Sequence, residues 1–379
     1  MGAYSIDSLR EQARRRIPRF AFDFLDGGAG SESGLARNRA AFERMQLLPR
    51  TMVDVEGRSI ATNFFGRKWD APFGVAPIGM GNLIWPGADA IVAAAAREAN
   101  IPYILSTAGT TSMEIIADIA PEHAWFQLYV GKSQRIVDDL IERADRAGFE
   151  VLVITVDVPA PGRRLRDQRN GLKLPLRPSA MMGVQLATRP IWSLATLREG
   201  LPRFANLKPY AERGASTASL AALMAEQSSG RLDVSLLREI RRRWPRRLVI
   251  KGILSPLDAV IARDFGADAV IVSNHGGRQL DGAPASLEAL PAIRREVGPD
   301  FPLLLDGGIR SGEDLAKAII AGADFALAGR AVMYGVAAMP GGAVQAIELL
   351  KTELSQTCAQ LGVTSIEELD DRFAFNSKK

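Results

Sequence analysis

Cysteine occurs once and histidine twice among the 379 residues. The single thiol, Cys358, excludes an intramolecular disulfide, and it reads as a small apolar residue on a C-terminal helix. His123 and His275 lie far apart in the chain, so they offer no zinc site, and no metal is expected. No run of about 18 apolar residues exists, which excludes a membrane-spanning helix. The segment from Met1 to Ile17 carries Asp7, Glu11 and several arginines but no apolar stretch, so it is not a secretory signal. A cytoplasmic protein is the expectation, with peripheral contact at the inner face of the membrane as a refinement of it. The Gly-rich stretch Asp26–Gly30 follows no strand, so it is not a dinucleotide fingerprint. No serine-nucleophile motif is evident.

The composition is ordinary for a globular chain, 47% hydrophobic and 24% charged. Short apolar runs alternate with helical patterns. The runs are Phe73–Pro77, Pro102–Ser106, Trp125–Tyr129, Val151–Asp157, Leu248–Gly252, Ala269–Ser273, Pro302–Asp306 and Phe325–Gly329. Most lack polar alternation, as strands buried on both faces of a parallel sheet do. None reads as a polar edge, which favours closure over an open sheet. The expected fold is therefore α/β, a (β/α)8 TIM barrel. It forms a single domain over 1–379, with a core at about 71–340. A helical extension (Ser8–Arg16, Phe20–Leu25) precedes the barrel, and a long insertion, about 158–231, follows the fourth strand. Ala343–Leu361 is expected to pack on the barrel as a helix.

In such a barrel the chemistry gathers where the strands end. The residues at those ends are Pro77, Ile78 and Gly79; Ser106; Gln127 and Tyr129; Thr155 and Asp157, then Arg163 and Arg164; Lys251; Ser273 through Arg278; Asp306 through Arg310; and Gly329 with Arg330. The Asp306, Gly307, Gly308, Arg310 turn and Gly329–Arg330 suit a phosphate, because glycines let backbone N–H groups and a helix N-terminus approach an anion. His275, in a Gly-rich turn after a buried strand, suits a general base. Asp157 either orients His275 or is a turn carboxylate. Lys251 needs a counter-charge, either a bound anionic cofactor or an acid on a neighbouring strand. Arg164 and Arg278 are candidates for clamping a carboxylate, although Arg163 or Arg166 equally qualifies for the inward position. His123 reads as an exposed surface residue.

These motifs converge. Trp125-Phe-Gln-Leu-Tyr-Val130, Thr155-Val-Asp157, Val249-Ile-Lys-Gly252, Ser273-Asn-His-Gly-Gly-Arg-Gln-Leu-Asp281 and Leu305-Asp-Gly-Gly-Ile-Arg310 resemble the FMN-dependent L-2-hydroxy-acid oxidases and dehydrogenases. The likeness runs over nearly the whole chain. It implies FMN as cofactor, with Pro77, Ile78 and Gly79 against the flavin ring and Ser106, Gln127 and Thr155 on its edge. Lys251 would lie near negative charge on the reduced ring, and Ser273 would also contact the cofactor. Asp306, Gly307, Gly308, Arg310, Gly329 and Arg330 would hold the phosphate. For the substrate, a mandelate- or lactate-like 2-hydroxy acid, the resemblance implies His275 as base with Asp157 behind it. Tyr129 would sit on the substrate oxygen, and Arg164 and Arg278 on the carboxylate. Hydride transfer and a carbanion route both remain open.

One position departs from the family. Pro18-Arg-Phe-Ala-Phe-Asp-Phe24 ends in Phe24 where a tyrosine that helps bind the substrate carboxylate is usual. Losing one bond to a charged group costs about 1.5–3 kcal/mol if nothing replaces it, so an altered substrate preference is expected. Gly79 and Leu83-Ile-Trp-Pro86 resemble the mandelate and lactate dehydrogenase branch, whose dehydrogenases pass electrons to a membrane quinone; quinone and O2 both stay open as the electron acceptor here. Arg163 to Arg213 holds eleven Lys/Arg against three acids. With Ile191, Trp192 and Leu194 inside it, the stretch 177–215 is either a peripheral membrane contact or a lid. A homotetramer is also implied. The competing readings are another FMN barrel, such as an isomerase, and a non-catalytic lipid- or nucleic-acid-binding protein; no nucleic-acid partner is expected.

Overall fold

A computed structural model describes residues 3–172, 180–200, 202–211 and 230–375. Eight parallel strands close into a ring: β1 Phe73–Val75, β2 Tyr103–Ser106, β3 Ala124–Leu128, β4 Val151–Thr155, β5 Arg247–Ile253, β6 Ala269–Val272, β7 Leu303–Asp306 and β8 Phe325–Ala328. Closure comes from β8 against β1, with Ala326 opposite Phe73. All eight expected runs are strands, and nearly every residue in them is buried, because helices cover the outer face while side chains fill the inner one. The fourth strand ends at Thr155, two residues before the expected Asp157, which is freed to face β5.

A short hairpin missed in the sequence, Thr62–Phe64 with Arg67–Trp69, plugs the bottom of the barrel. Its Phe64 ring stacks on Phe325 at 4.8 Å, within the interior cluster that includes Trp125 and Val249. With the bottom plugged, the strand C-terminal ends form the open rim. His123 belongs to this lower end and corrects the expectation of an exposed residue. It is half-buried, with Nε2 3.0 Å from the Arg67 guanidinium and its ring edge-on to Trp69.

The N-terminal extension contains α1 Ile6–Arg16, α2 Arg19–Asp26 and a third helix not expected from sequence, α3 Ser33–Arg44. Ser5 caps α1 in a reciprocal box with Ser8, and Ile6, Leu9 and Ala13 form its buried stripe. Asp26, at the end of α2, is a buried hub. Arg10 reaches it at 2.6 Å, the Tyr334 hydroxyl at 2.7 Å and Arg166 at 2.9 Å. Burial alone would raise this carboxyl, but those partners outweigh it and hold it below its usual range. The hub fastens the extension to the start of the insertion and to the helix after β8, Arg330–Ala338. That helix packs on the long C-terminal helix Gly342–Leu361, which carries the buried Cys358 as expected.

The insertion is structured where described. A short helix, Leu165–Arg169, precedes Ala180–Ala187 and Pro190–Glu199, and a tight turn follows at Ala205–Tyr210. Trp192 anchors it: the ring meets Phe20 edge-on at 5.6 Å, and its indole N–H donates to the Ile84 carbonyl at 3.0 Å. Of the basic stretch, residues 173–179, 201 and 212–229 lie outside the described residues.

Candidate active site

A cavity of about 740 Å³ opens at the C-terminal rim of the strands. Its wall includes Pro77, Ile78 and Gly79 after β1, Tyr129 after β3, Thr155 on β4, Lys251 on β5, His275 and Arg278 after β6, Asp306 through Arg310 after β7, and Gly329 with Arg330 after β8. Phe24 from α2 and Arg164 from the insertion complete it. Ser106, Gln127, Asp157 and Ser273 stand one layer behind. The rim thus brings these candidate residues together, while Arg163 and Arg166 are not part of the cavity wall.

The His275 turn is held under backbone strain. His275 adopts φ 58°, followed by Gly276 at 62° and Gly277 at 73°. A non-glycine residue in the left-handed region costs energy and persists where its surroundings hold it. Here Ser273 Oγ accepts from the His275 backbone N–H at 3.0 Å, and the Gly277 carbonyl accepts from Ala29 N–H at 2.9 Å. The Gly-rich stretch Asp26–Gly30 therefore braces the histidine turn.

His275 Nδ1 pairs with Asp157 Oδ1 at 2.9 Å. This fixes the ring and leaves Nε2 for the cavity. Asp157 fits only because Gly252 stands opposite, at φ 104°, where a Cβ would lie 2.5 Å from the Asp157 carboxyl carbon. Burial opposes charge on Asp157, yet His275 and Lys251 outweigh it and keep the carboxyl below its usual range. The Tyr129 hydroxyl is pushed up to about 12, mainly by burial and then by Asp157, so it stays a donor at neutral pH.

Lys251 is buried, with Nζ 2.8 Å from Ser273 Oγ and 2.9 Å from Asp306 Oδ2. Ser273 Oγ in turn donates to Asp306 Oδ1 at 2.5 Å. The acid on a nearby strand, one of the two partners foreseen for Lys251, is therefore present. The Asp306 carboxylate is thus paired with Lys251, and its place in the cavity wall leaves the backbone of its turn for an anion. Arg330 lines the cavity while its guanidinium donates to the carbonyls of Leu25, Gly27 and Gly276 at 2.8–2.9 Å. What remains for a phosphate is the backbone of Gly307, Gly308 and Gly329, the N-terminus of the Arg330–Ala338 helix, and the Arg310 side chain.

At the other end Phe24 lies under two cations. The Arg164 and Arg278 guanidinium carbons stand 5.6 Å and 5.1 Å from its ring centre. Asp26 and Glu32 draw Arg166 away, and of Arg163, Arg164 and Arg166 it is Arg164 that lies on the cavity wall. The sequence reading missed several wall residues: Asp167, Met80, Ile84, Leu172 and Phe204. Only Asp167 had a legible signal, its position one helical turn from Arg164.

The residues present fit FMN. One end offers backbone donors and Arg310 for a phosphate, and Lys251 lies between the ends. Two buried polar atoms on adjacent strands, Gln127 Nε2 and Thr155 Oγ1, have no hydrogen-bond partner among the described residues. Such orphans are rare in folded proteins and suit the polar edge of a heteroaromatic ring.

Comparison with known proteins agrees. The FMN-dependent dehydrogenase family matches residues 13–375. The (S)-mandelate dehydrogenase of Pseudomonas putida is 37% identical over 98% of this chain and 94% of its own length. An L-lactate dehydrogenase of Caulobacter vibrioides is 37% identical over 97% and 96%. The crystal structure of a monotopic membrane protein, (S)-mandelate dehydrogenase, superimposes with a TM-score of 0.96 at 36% identity, covering 100% of both chains. A matching fold, a cavity with the right polar complement and full-length likeness place the chain in one family: it is a member of the FMN-dependent 2-hydroxy-acid dehydrogenases and oxidases, with FMN as its cofactor.

Proposed function

We propose that this enzyme oxidises an L-2-hydroxy acid with an apolar or aromatic side chain, mandelate-like rather than lactate-like, to the 2-oxo acid. The observation that carries the reading is the His275–Asp157 pair sharing one cavity with Arg164 and Arg278. The two guanidiniums hold the substrate carboxylate, because their planar forks match it bidentately. Held there, the substrate turns its hydroxyl-bearing carbon toward His275, whose Nε2 accepts the proton while Asp157 stabilises the imidazolium. Tyr129 donates to the substrate oxygen. Bound FMN supplies the two-electron acceptor. Phe24, with no hydroxyl, leaves the carboxylate to the arginines. Together with Met80, Ile84, Val158, Leu172 and Phe204 it makes the substrate end apolar, which favours a phenyl over a methyl substituent.

Anaerobic mixing of the purified protein with (S)-mandelate and L-lactate tests this. Mandelate is expected to bleach the oxidised flavin spectrum faster. Bleaching by neither acid overturns the reading, and an isomerase would show no net bleaching by its substrate.

A quinone in the lipid phase is the proposed final acceptor. Among the described residues no helix is long and apolar enough to cross a membrane. The insertion nonetheless presents Val184, Ile191, Leu194 and Leu197 at 57–80% exposure, flanked by Arg189 and Arg198. Apolar tips among arginines suit an anionic lipid surface. Lid and membrane contact are both compatible with the insertion: Val158, Pro161, Arg164, Leu172 and Phe204 line the cavity, while Val184, Ile191, Leu194 and Leu197 face outward. Cosedimentation with anionic vesicles is the check. Leu194→Glu combined with Leu197→Glu is expected to cut binding by about tenfold or more, from the apolar area lost. Undiminished binding would remove the segment from the proposal, and fast reoxidation in air would replace quinone by O2.

A further inference from the structure

We propose that Asp167 limits the substrate end of the cavity to a single carboxylate, so that hydroxy monocarboxylates are accepted and hydroxy dicarboxylates refused. This rests on the hydroxy-acid reading above and assigns a specificity-determining residue within it.

The argument is a charge count. Arg164 and Arg278 converge on the Phe24 ring, which is carbon only and neutralises neither. Asp167 lines the same cavity, with Oδ2 3.5 Å from Arg164 Nε and its side chain only 14% exposed. Among the described wall residues the other acid is Asp306, already committed to Lys251. The charges packed around Asp167 are committed as well. Arg166 is held by Asp26 and Glu32, and Asp23 is held by Arg19 and Asn170. Two guanidiniums against one carboxylate leave one positive charge, enough for one substrate carboxylate. The environment is poorly solvated: burial is the main force raising the Asp167 carboxyl, ahead of the two arginines that lower it. Burial, then Arg164 and Arg330, pull the Arg278 guanidinium well below its usual value. The other wall guanidiniums, Arg310 and Arg330, lie at the phosphate end and are matched by the FMN phosphate, so a second substrate carboxylate beside Asp167 would find no cation left for it, and like charges in such a place repel strongly.

The alternative is that Asp167 only steadies Arg164. The two roles predict different results. Steadying alone would make Asp167→Asn slower on every hydroxy acid alike. Charge balance predicts a change in the ratio of substrates.

The holoenzyme is mixed anaerobically with L-malate and with L-lactate or (S)-mandelate, whichever bleaches the flavin faster. The second-order constant for flavin bleaching is read for each. In Asp167→Asn the ratio of malate to monocarboxylate is expected to rise on the order of tenfold or more. In Asp167→Glu, which keeps the charge, the ratio is expected to stay at its wild-type value. Asp167→Ser serves as a second neutral variant should Asp167→Asn fail to retain flavin. A ratio unchanged in the neutral variants, with wild type active on the monocarboxylate, overturns the charge-balance role alone. Absence of bleaching by any hydroxy acid in wild type overturns the functional reading beneath it.

Discussion

Replacing His275 by asparagine is expected to give a yellow, folded protein whose flavin is reduced by hydroxy acid about 10²–10⁴ times more slowly than in wild type. The magnitude is that of a lost general base. Asparagine is the informative choice because of the backbone. His275 sits at φ 58°, and asparagine adopts the left-handed region more readily than most residues. The backbone N–H that donates to Ser273 Oγ survives the change, so the turn and the Gly277 contact to Ala29 should persist. The loss then falls on the base alone. Flavin content and thermal midpoint report the fold, and stopped-flow bleaching reports the chemistry. A variant within tenfold of the wild-type rate would remove His275 as the base. A variant that loses flavin would instead assign the turn a binding role.

The second large effect concerns stability. Lys251→Met should cost about 3–5 kcal/mol, because it leaves the buried Asp306 carboxylate without its cation. Adding Asp306→Asn should recover part of that loss, since both charges are then gone, but not the flavin-dependent activity. Urea unfolding of the three apo-proteins checks this, and a single-variant loss under about 1 kcal/mol would contradict it. The pH dependence follows from the direction of the lysine's shift. Burial pulls the Lys251 ammonium down, but Asp306 and Asp157 outweigh it and leave it raised. A cation raised on folding contributes stability that is complete below the unfolded value, about 10.4 for lysine, and is lost as pH rises through the folded value. The pair should therefore stabilise the protein undiminished from pH 6 to about pH 10, with its contribution falling only in stronger alkali.

The two predictions draw on different layers of information. His275 was legible as a base from its place in a Gly-rich turn after an apolar run. Its dependence on Gly252 was not, because the glycine matters only through the Asp157 carboxylate that packs against it. Lys251 was legible as a buried cation in need of a partner. Which partner it has depends on Ser273, just after β6, and Asp306, at the end of β7, which the neighbouring strand ends bring to it.

The sequence by itself determined the barrel and the location of the chemistry. Strands buried on both faces must be apolar throughout, so eight such runs stand out from the amphipathic helices between them, and polar residues at their ends can only mark the rim. The hairpin that plugs the barrel and α3 left no such mark. The hairpin strands have three residues each, and α3 is mostly polar, with few buried positions. Tertiary structure alone decided the use of each rim cation. Arg164 faces the substrate end because Asp26 and Glu32, about 140 residues earlier, capture Arg166. Arg330 braces loops because the carbonyls of Leu25, Gly27 and Gly276 converge on it. A guanidinium is always charged and reaches several ångströms, so its sequence position states that it will find an acceptor, and only the packing of distant segments states which one.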